Sequence, residues 1–331
     1  MPTVLVTDGF MQPGEPGGIR LLEQAGVELR FVQLPAATTN AELIEHLQGC
    51  MGVLAGSQRF TDEVFAGAPQ LRIVARLGVG YDAIDLEAAT RHGVLITTAP
   101  GTLEWAVADH TFGLLLALAH HITQDDRAMR RGEWRPFWGV DVWRKTLGLV
   151  GLGRIGRMVA QRARGFEMRI LAHEPQPDMA FVQEYGIELV SLEELLHRAD
   201  FVSLHTPLTP QTRQLINAER LALMQPSAYL INTARGGLVD EDALYAALTT
   251  GGIAGAGLDV RQVEPPTDSR FATLDNVVLT PHDSGLTDGR RLACGTMAAG
   301  SILSVLADQR PDGLLNVDAW ERRRTGPEPA S

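Results

Sequence analysis

The stretch that reads TLGLVGLGRIGRMVAQRA, residues 146–163, decides the fold. Its first five residues form an apolar run of strand character, and Gly151, Gly153 and Gly156 follow in G-x-G-x-x-G spacing, opening a helical pattern. A strand that turns through three glycines into a helix is the context a dinucleotide-binding turn requires. Gly151 permits the tight turn, Gly153 lets the backbone approach a pyrophosphate, and Gly156 lets the helix pack on the strand. The N–H groups that open the helix then serve the anion. Glu174 stands at the end of the next apolar run, where ribose hydroxyls need an acceptor. Pro175, Gln176, Pro177 and Asp178 bring no cation to balance a 2′-phosphate, so the pattern favours NAD over NADP.

Outward from this turn, short β-branched runs alternate with helical stretches: 4–7, 28–31, 52–55, 72–75 and 94–97 before it, and 168–172, 201–205, 228–232 and 277–280 after it. Such alternation predicts parallel sheets covered by helices on both faces. Thr39 with Glu42, and Ser191 with Glu194, have the spacing of capping boxes. From 103 to 131 the helical pattern runs longer than elsewhere, with Trp105, Phe112, Leu115, Leu116 and Leu118 giving a broad apolar surface, which suits a connector between two units. The Trp- and Gly-rich GEWRPFWGVDVW (132–143) that follows is no regular element. A second helical stretch, 288–307, is placed to carry the chain back, and the charged tail ERRRTGPEPAS (321–331) is expected to fray. The expectation is an α/β protein of two Rossmann-like, doubly wound parallel-sheet domains with a cleft between them. Residues 1–99 with 287–331 are expected to form one domain, and 100–286, which hold the glycine turn, the NAD-binding Rossmann domain.

Composition sets the outer limits. At 331 residues the chain exceeds one ordinary core, taking about 150 residues per domain. With 45% hydrophobic and 21% charged residues it is neither disordered nor fibrous. A net charge of −11 offers no global positive field for nucleic acid or anionic lipid. The longest apolar run, 112–119, is far below the roughly 20 residues of a membrane span. MPTVLVTDGF has no basic leader and no signal-peptide core, which points to the cytoplasm. Cys50 and Cys294 form no CxxC pair and are read as buried packing residues.

Three polar groups fall just after apolar runs: Arg235 in INTARGGLVDE, Glu264 in GLDVRQVEPP and His282 in LTPHDSG. In a doubly wound sheet such strand ends border the ligand crevice. Together with RLGVGYDAIDLEAATRHGV, KTLGLVGLGRIGR and HTPLTPQT, they appear in one order between about residues 71 and 285. In this collinear set the chain resembles the D-isomer-specific 2-hydroxyacid dehydrogenase family, which includes phosphoglycerate dehydrogenases and glyoxylate and hydroxypyruvate reductases. The resemblance implies an NAD-dependent oxidoreductase that moves a hydride between nicotinamide and a small D-2-hydroxy acid or its 2-oxo form. His282 is then the general acid and base, Glu264 pairs with its other ring nitrogen and favours its charged form, and Arg235 holds the substrate carboxylate. Gly78, Val79 and Gly80 present backbone N–H groups to that carboxylate, and Arg76 adds charge. Arg154 and Ile155 offer N–H groups to the pyrophosphate, Thr206 and Pro207 border the adenosine half, and Thr233, Ala234 and Asp259 surround the nicotinamide. The resemblance also implies that 1–99 with 287–331 is a flavodoxin-like substrate-binding domain and that the substrate site draws on both domains, so closure is expected on binding.

The sequence departs from the family's pattern at four places. Asp283 replaces an apolar residue beside His282, Asp109 replaces a glutamate, Leu103 stands where many phosphoglycerate dehydrogenases have asparagine, and His120 replaces an arginine. Asp283 either acts on the imidazole or faces solvent. Adjacent helical His120 and His121 point about 100° apart and make poor co-ligands, so no metal is expected. Trp134, Phe137, Trp138 and Trp143 offer aromatic surface for the homodimer that is usual in the family, or for the chain's own core. Two other readings share these motifs: an NAD-sensing interaction protein like the family's co-repressors, and a same-fold phosphite dehydrogenase.

Overall fold

Runs of Val, Leu and Ile with little polar interruption become fully buried parallel strands in both parts of the chain, as sheets covered on both faces require. The computed structural model describes residues 1–325. They divide into two units, Met1–Leu103 with the described residues from Leu286 onward, and Glu104–Gly285. The first unit carries β1 (Thr3–Val6), β2 (Glu28–Phe31), β3 (Gly52–Ala55), β4 (Ile73–Arg76) and β5 (Leu95–Thr97) in a parallel sheet of order β2-β1-β3-β4-β5. The order reverses at β1 and β3, which makes it doubly wound. Helix Asp288–Leu306 completes this unit and crosses helix Gly18–Gln24 so closely that a Cβ at Gly18 would lie 2.1 Å from the Gly295 carbonyl oxygen.

The second unit holds β6 (Thr146–Val150), β7 (Arg169–His173), β8 (Glu188–Leu189), β9 (Phe201–Leu204), β10 (Tyr229–Asn232), β11 (Gly255–Leu258) and β12 (Val277–Leu279). They form one parallel sheet of order β12-β11-β10-β9-β6-β7-β8, which reverses between β6 and β9. One face packs on helices Glu104–Ala119 and Arg154–Ala163 through Leu114, Leu115, Leu118, Val159 and Ala160, and the other through Leu195, Leu244 and Leu248. Both sheets are therefore of the Rossmann-like, doubly wound type expected from the alternation.

Four details differ from the sequence reading. Strand β11 escaped notice because GAGL has no β-branched residue. A Cβ at Gly257 would stand 3.0 Å from Leu114 Cβ, and one at Gly255 would stand 2.6 Å from the Asn276 carbonyl oxygen, so close packing selects glycine over strand propensity. The two-residue β8 is too short to leave a pattern. The long helical stretch 103–131 is two helices, Glu104–Ala119 and Ile122–Arg130, broken at His121, whose φ of 53° is left-handed. Finally, residues 321–325 do not fray. Arg324 donates to the carbonyls of Phe65, Ala68, Leu71 and His92 at 2.5–3.0 Å, and the buried Arg72 reaches the Arg324 carbonyl at 2.9 Å. The rest of the tail, 326–331, lies outside the described residues. The Thr39–Glu42 capping box is complete. At Ser191 only the hydroxyl half forms, because Glu194 turns instead to Arg198.

Candidate active site

The glycine turn is built as its spacing requires. Gly151 has a φ of 98°, and a Cβ there would lie 2.7 Å from the His205 carbonyl group. A Cβ at Gly156 would lie 2.3 Å from the Gly151 carbonyl oxygen. Around Gly153, by contrast, a Cβ would meet nothing within 4 Å, so backbone and open space face each other where a diphosphate would approach. Helix Arg154–Ala163 begins at Gly153 with no capping side chain, which leaves its first N–H groups for an anion. Burial pushes His205 down to about 3, so a neutral imidazole, bonded to Ser203 at 2.8 Å, sits beneath the turn.

Glu174 is fixed by two backbone donors, Leu152 N–H at 2.8 Å and Gln176 N–H at 3.0 Å. The sequence reading missed one neighbour. Arg157, from the helix after the turn, reaches Asp178 at 2.9 Å and the Leu152 carbonyl at 3.1 Å. A guanidinium thus stands by the loop after Glu174, but Asp178 neutralises it.

Along the carboxyl edge of the second sheet the expected residues follow strand order: Glu174 after β7, the glycine turn after β6, Thr206 after β9, Thr233–Arg235 after β10, Asp259 after β11 and His282 after β12. Thr233 is buried and meets Thr111 at 3.0 Å, while the Ala234 N–H donates to Asn232 at 3.0 Å. Pro207 accepts from Thr212 at 2.7 Å.

His282, Glu264 and Arg235 converge. His282 Nδ1 lies 2.7 Å from Glu264 Oε2, and the other Glu264 oxygen accepts from the Arg261 N–H at 2.9 Å. Nε2 of His282 has no partner among the described residues, and the ring is half exposed. Burial works to raise the Glu264 pKa, but the bond and charge of His282, the Arg261 N–H and the charge of Arg235 together hold it below the usual carboxylate range. A Cβ at Gly236 would stand 2.0 Å from the Arg261 carbonyl carbon, so the glycine after Arg235 is what lets the two loops meet. Arg261 grips the buried Glu241 with two bonds of 2.9–3.0 Å, and Glu241 also takes the Gln262 N–H at 2.7 Å. This frame went unread in the sequence, because its parts lie twenty residues apart on different elements.

Behind His282, the buried Asp259 accepts from Thr280 at 2.7 Å, Asp283 N–H at 3.0 Å and Ser284 N–H at 3.2 Å. Burial alone would raise its pKa; these donors and the nearby His110 lower it. His110, another residue the sequence reading passed over, bonds Thr280 at 3.0 Å. The Asp283 side chain lies toward His110, at 3.8 Å, and is partly exposed. His110, Asp259 and Asp283 hold ligand atoms within 4.8 Å of one another, yet Asp259 is occupied by its protein donors.

In the first unit, the loop after β4 has an unusual balance. Among the described residues the N–H groups of Gly78, Val79 and Gly80 find no acceptor. Their carbonyls turn away: Gly78 O takes the Ala99 N–H at 2.9 Å, and Gly80 O takes Arg76 Nε at 3.0 Å. Three consecutive N–H groups are thus available to an anion.

Comparison with known proteins finds a family model and relatives of similar sequence. Residues 112–284 match the family described as D-isomer specific 2-hydroxyacid dehydrogenase, NAD binding domain. The chain is 46% identical over 335 residues to the glyoxylate reductase of Pyrococcus furiosus, covering 98% of each. It is 40% identical over 330 residues to the D-3-phosphoglycerate dehydrogenase of Methanocaldococcus jannaschii, covering 98% of this chain but 62% of that protein's length. A solved structure from Thermus thermophilus superposes with a TM-score of 0.87 at 39% identity, over 95% of this chain and 99% of that one.

Proposed function

This chain belongs to the D-isomer-specific 2-hydroxyacid dehydrogenase family of NAD-dependent oxidoreductases, and on that premise we propose that it interconverts a small D-2-hydroxy acid and its 2-oxo acid. The observation that carries the proposal is the 2.7 Å bond between His282 Nδ1 and Glu264, with Nε2 left for a substrate proton. When bound, the nicotinamide supplies or accepts the hydride. His282 Nε2 delivers a proton to the C2 oxygen during reduction and removes it from the hydroxyl during oxidation. Glu264 fixes the ring's orientation and stabilises its charged form. Arg235 takes the substrate carboxylate in its planar fork and polarises the C2 oxygen, and in the first unit the N–H groups of Gly78, Val79 and Gly80, with Arg76, are donors for a substrate carboxylate. The glycine turn with Arg154 and Ile155 holds the diphosphate, Glu174 the adenosine ribose, Thr206 and Pro207 the adenosine half, and Thr233, Ala234 and Asp259 the nicotinamide half.

Glu174, and an Arg157 already paired with Asp178, support NAD over NADP. Small unphosphorylated acids are favoured: Leu103 stands where many phosphoglycerate dehydrogenases have asparagine, and the glyoxylate reductase relative matches over 98% of its length. We assign a homodimer through the second unit, where Trp134, Trp138 and Trp143 are 88%, 95% and 55% exposed. Two free, buried cysteines fit a reducing compartment such as the cytoplasm, and no helix among the described residues is long and apolar enough to cross a membrane. The test is a panel of glyoxylate, hydroxypyruvate, pyruvate and phosphohydroxypyruvate with NADH or NADPH, and phosphite with NAD. NADH-dependent reduction of a small 2-oxo acid is expected. Turnover of phosphite alone, or of nothing, would refute the assignment.

A further inference from the structure

Among the described residues two arginines have a buried Nε without a hydrogen-bond partner, Arg270 and Arg290, and Arg270 is paired with Asp242 and Asp268. Arg324 satisfies four carbonyls, and Arg261 forms a two-bond pair with Glu241. Arg290, in the first turn of helix Asp288–Leu306, does not follow this pattern. Its Nη2 donates to the Leu77 carbonyl and lies 3.9 Å from where a Cβ of Gly78 would stand. Its Nε is buried without a hydrogen-bond partner, and among the described residues no carboxylate forms an ion pair with Arg290. An orphaned charged donor in a packed position asks for an explanation beyond packing.

The neighbouring loop supplies one. With Leu77 O held by Arg290, Gly78 O by Ala99 N–H and Gly80 O by Arg76, three of the loop's carbonyls are drawn away, and the three N–H groups of Gly78, Val79 and Gly80 are left over. Two guanidiniums, one at each end, therefore hold the loop's carbonyls and add positive charge beside its free N–H groups. Thr287 caps the helix by accepting from the Arg290 N–H at 3.2 Å, which sets the backbone from which the side chain reaches the loop.

We propose that Arg290 is a positioning residue for substrate binding: by restraining the Leu77 carbonyl and adding charge, it sets the affinity of the Gly78–Gly80 loop for the carboxylate of a 2-oxo acid. The proposal rests on the reading that this loop binds the substrate carboxylate. Its test compares full-length wild type, Arg290→Met and Arg290→Lys. Three quantities are measured: kinetics with the 2-oxo acid the wild type reduces best, calorimetric binding of oxamate to the NADH-loaded protein, and Tm. Arg290→Met should raise the KM for the 2-oxo acid and weaken oxamate by roughly tenfold or more, with the KM for NADH changed less than about twofold. Arg290→Lys should recover part of the loss, because an ammonium still donates to Leu77. An Arg290→Met enzyme with wild-type KM and oxamate affinity overturns the inference and leaves the proposed function standing. Equal losses for NADH and the 2-oxo acid, with a lower Tm and no recovery in Arg290→Lys, mark a structural clamp and also overturn it. A wild type that reduces no 2-oxo acid removes both.

Discussion

His282 adopts a left-handed backbone, φ 57°, which costs a residue with a Cβ about 1 kcal/mol or more. The surrounding bonds over-determine it: its N–H donates to the Asp259 carbonyl at 2.7 Å, and the ring is held by Glu264. Arg235 is placed as tightly, since Asn232 binds the Arg235 carbonyl at 2.8 Å and the Ala234 N–H at 3.0 Å. For that reason Arg235→Lys, which keeps the charge but loses the fork, should raise KM and lower kcat together by roughly tenfold or more. Steady-state kinetics on the preferred 2-oxo acid check this, and a change in neither constant would remove Arg235 from the carboxylate. Arg235, Glu264 and His282 were legible in sequence because each directly follows an apolar run or a family motif. Glu241, His110 and Arg290 were not, because each acts on a segment distant in the chain.

At the scale of elements, the strand–turn–helix at 146–163 was readable because glycine spacing is a local signal with a local cause. A methyl at Gly156 has no room, since it would sit 2.3 Å from a backbone oxygen of the turn itself. Gly156→Ala should therefore weaken NADH binding by roughly tenfold or more and lower Tm, as calorimetric titration and thermal melting would show. Retained affinity would mean the turn does not carry the diphosphate. Strand β11 and the break at His121 were illegible for the opposite reason. In GAGL the side-chain preference yields to the helix that covers it, and the left-handed residue at 121 carries no glycine to announce the turn.

At the scale of the molecule, net charge and strand alternation gave the class, while the anchoring of residues 321–325 by Arg72 and Arg324 was hidden in a tail whose composition suggested fraying. Trp134 and Trp138 are too exposed to be core, and the proposed homodimer would cover them. Sedimentation should give a dimer for the wild type and a shift toward monomer for Trp134→Ala/Trp138→Ala; a wild-type monomer would refute the assigned homodimer. The most direct measurement of the whole account follows NADH absorbance with the preferred 2-oxo acid for wild type and His282→Ala, alongside NADH affinity of both. Turnover of the variant should fall by about 10²–10⁴ with NADH affinity unchanged. A variant that turns over like the wild type would contradict the account.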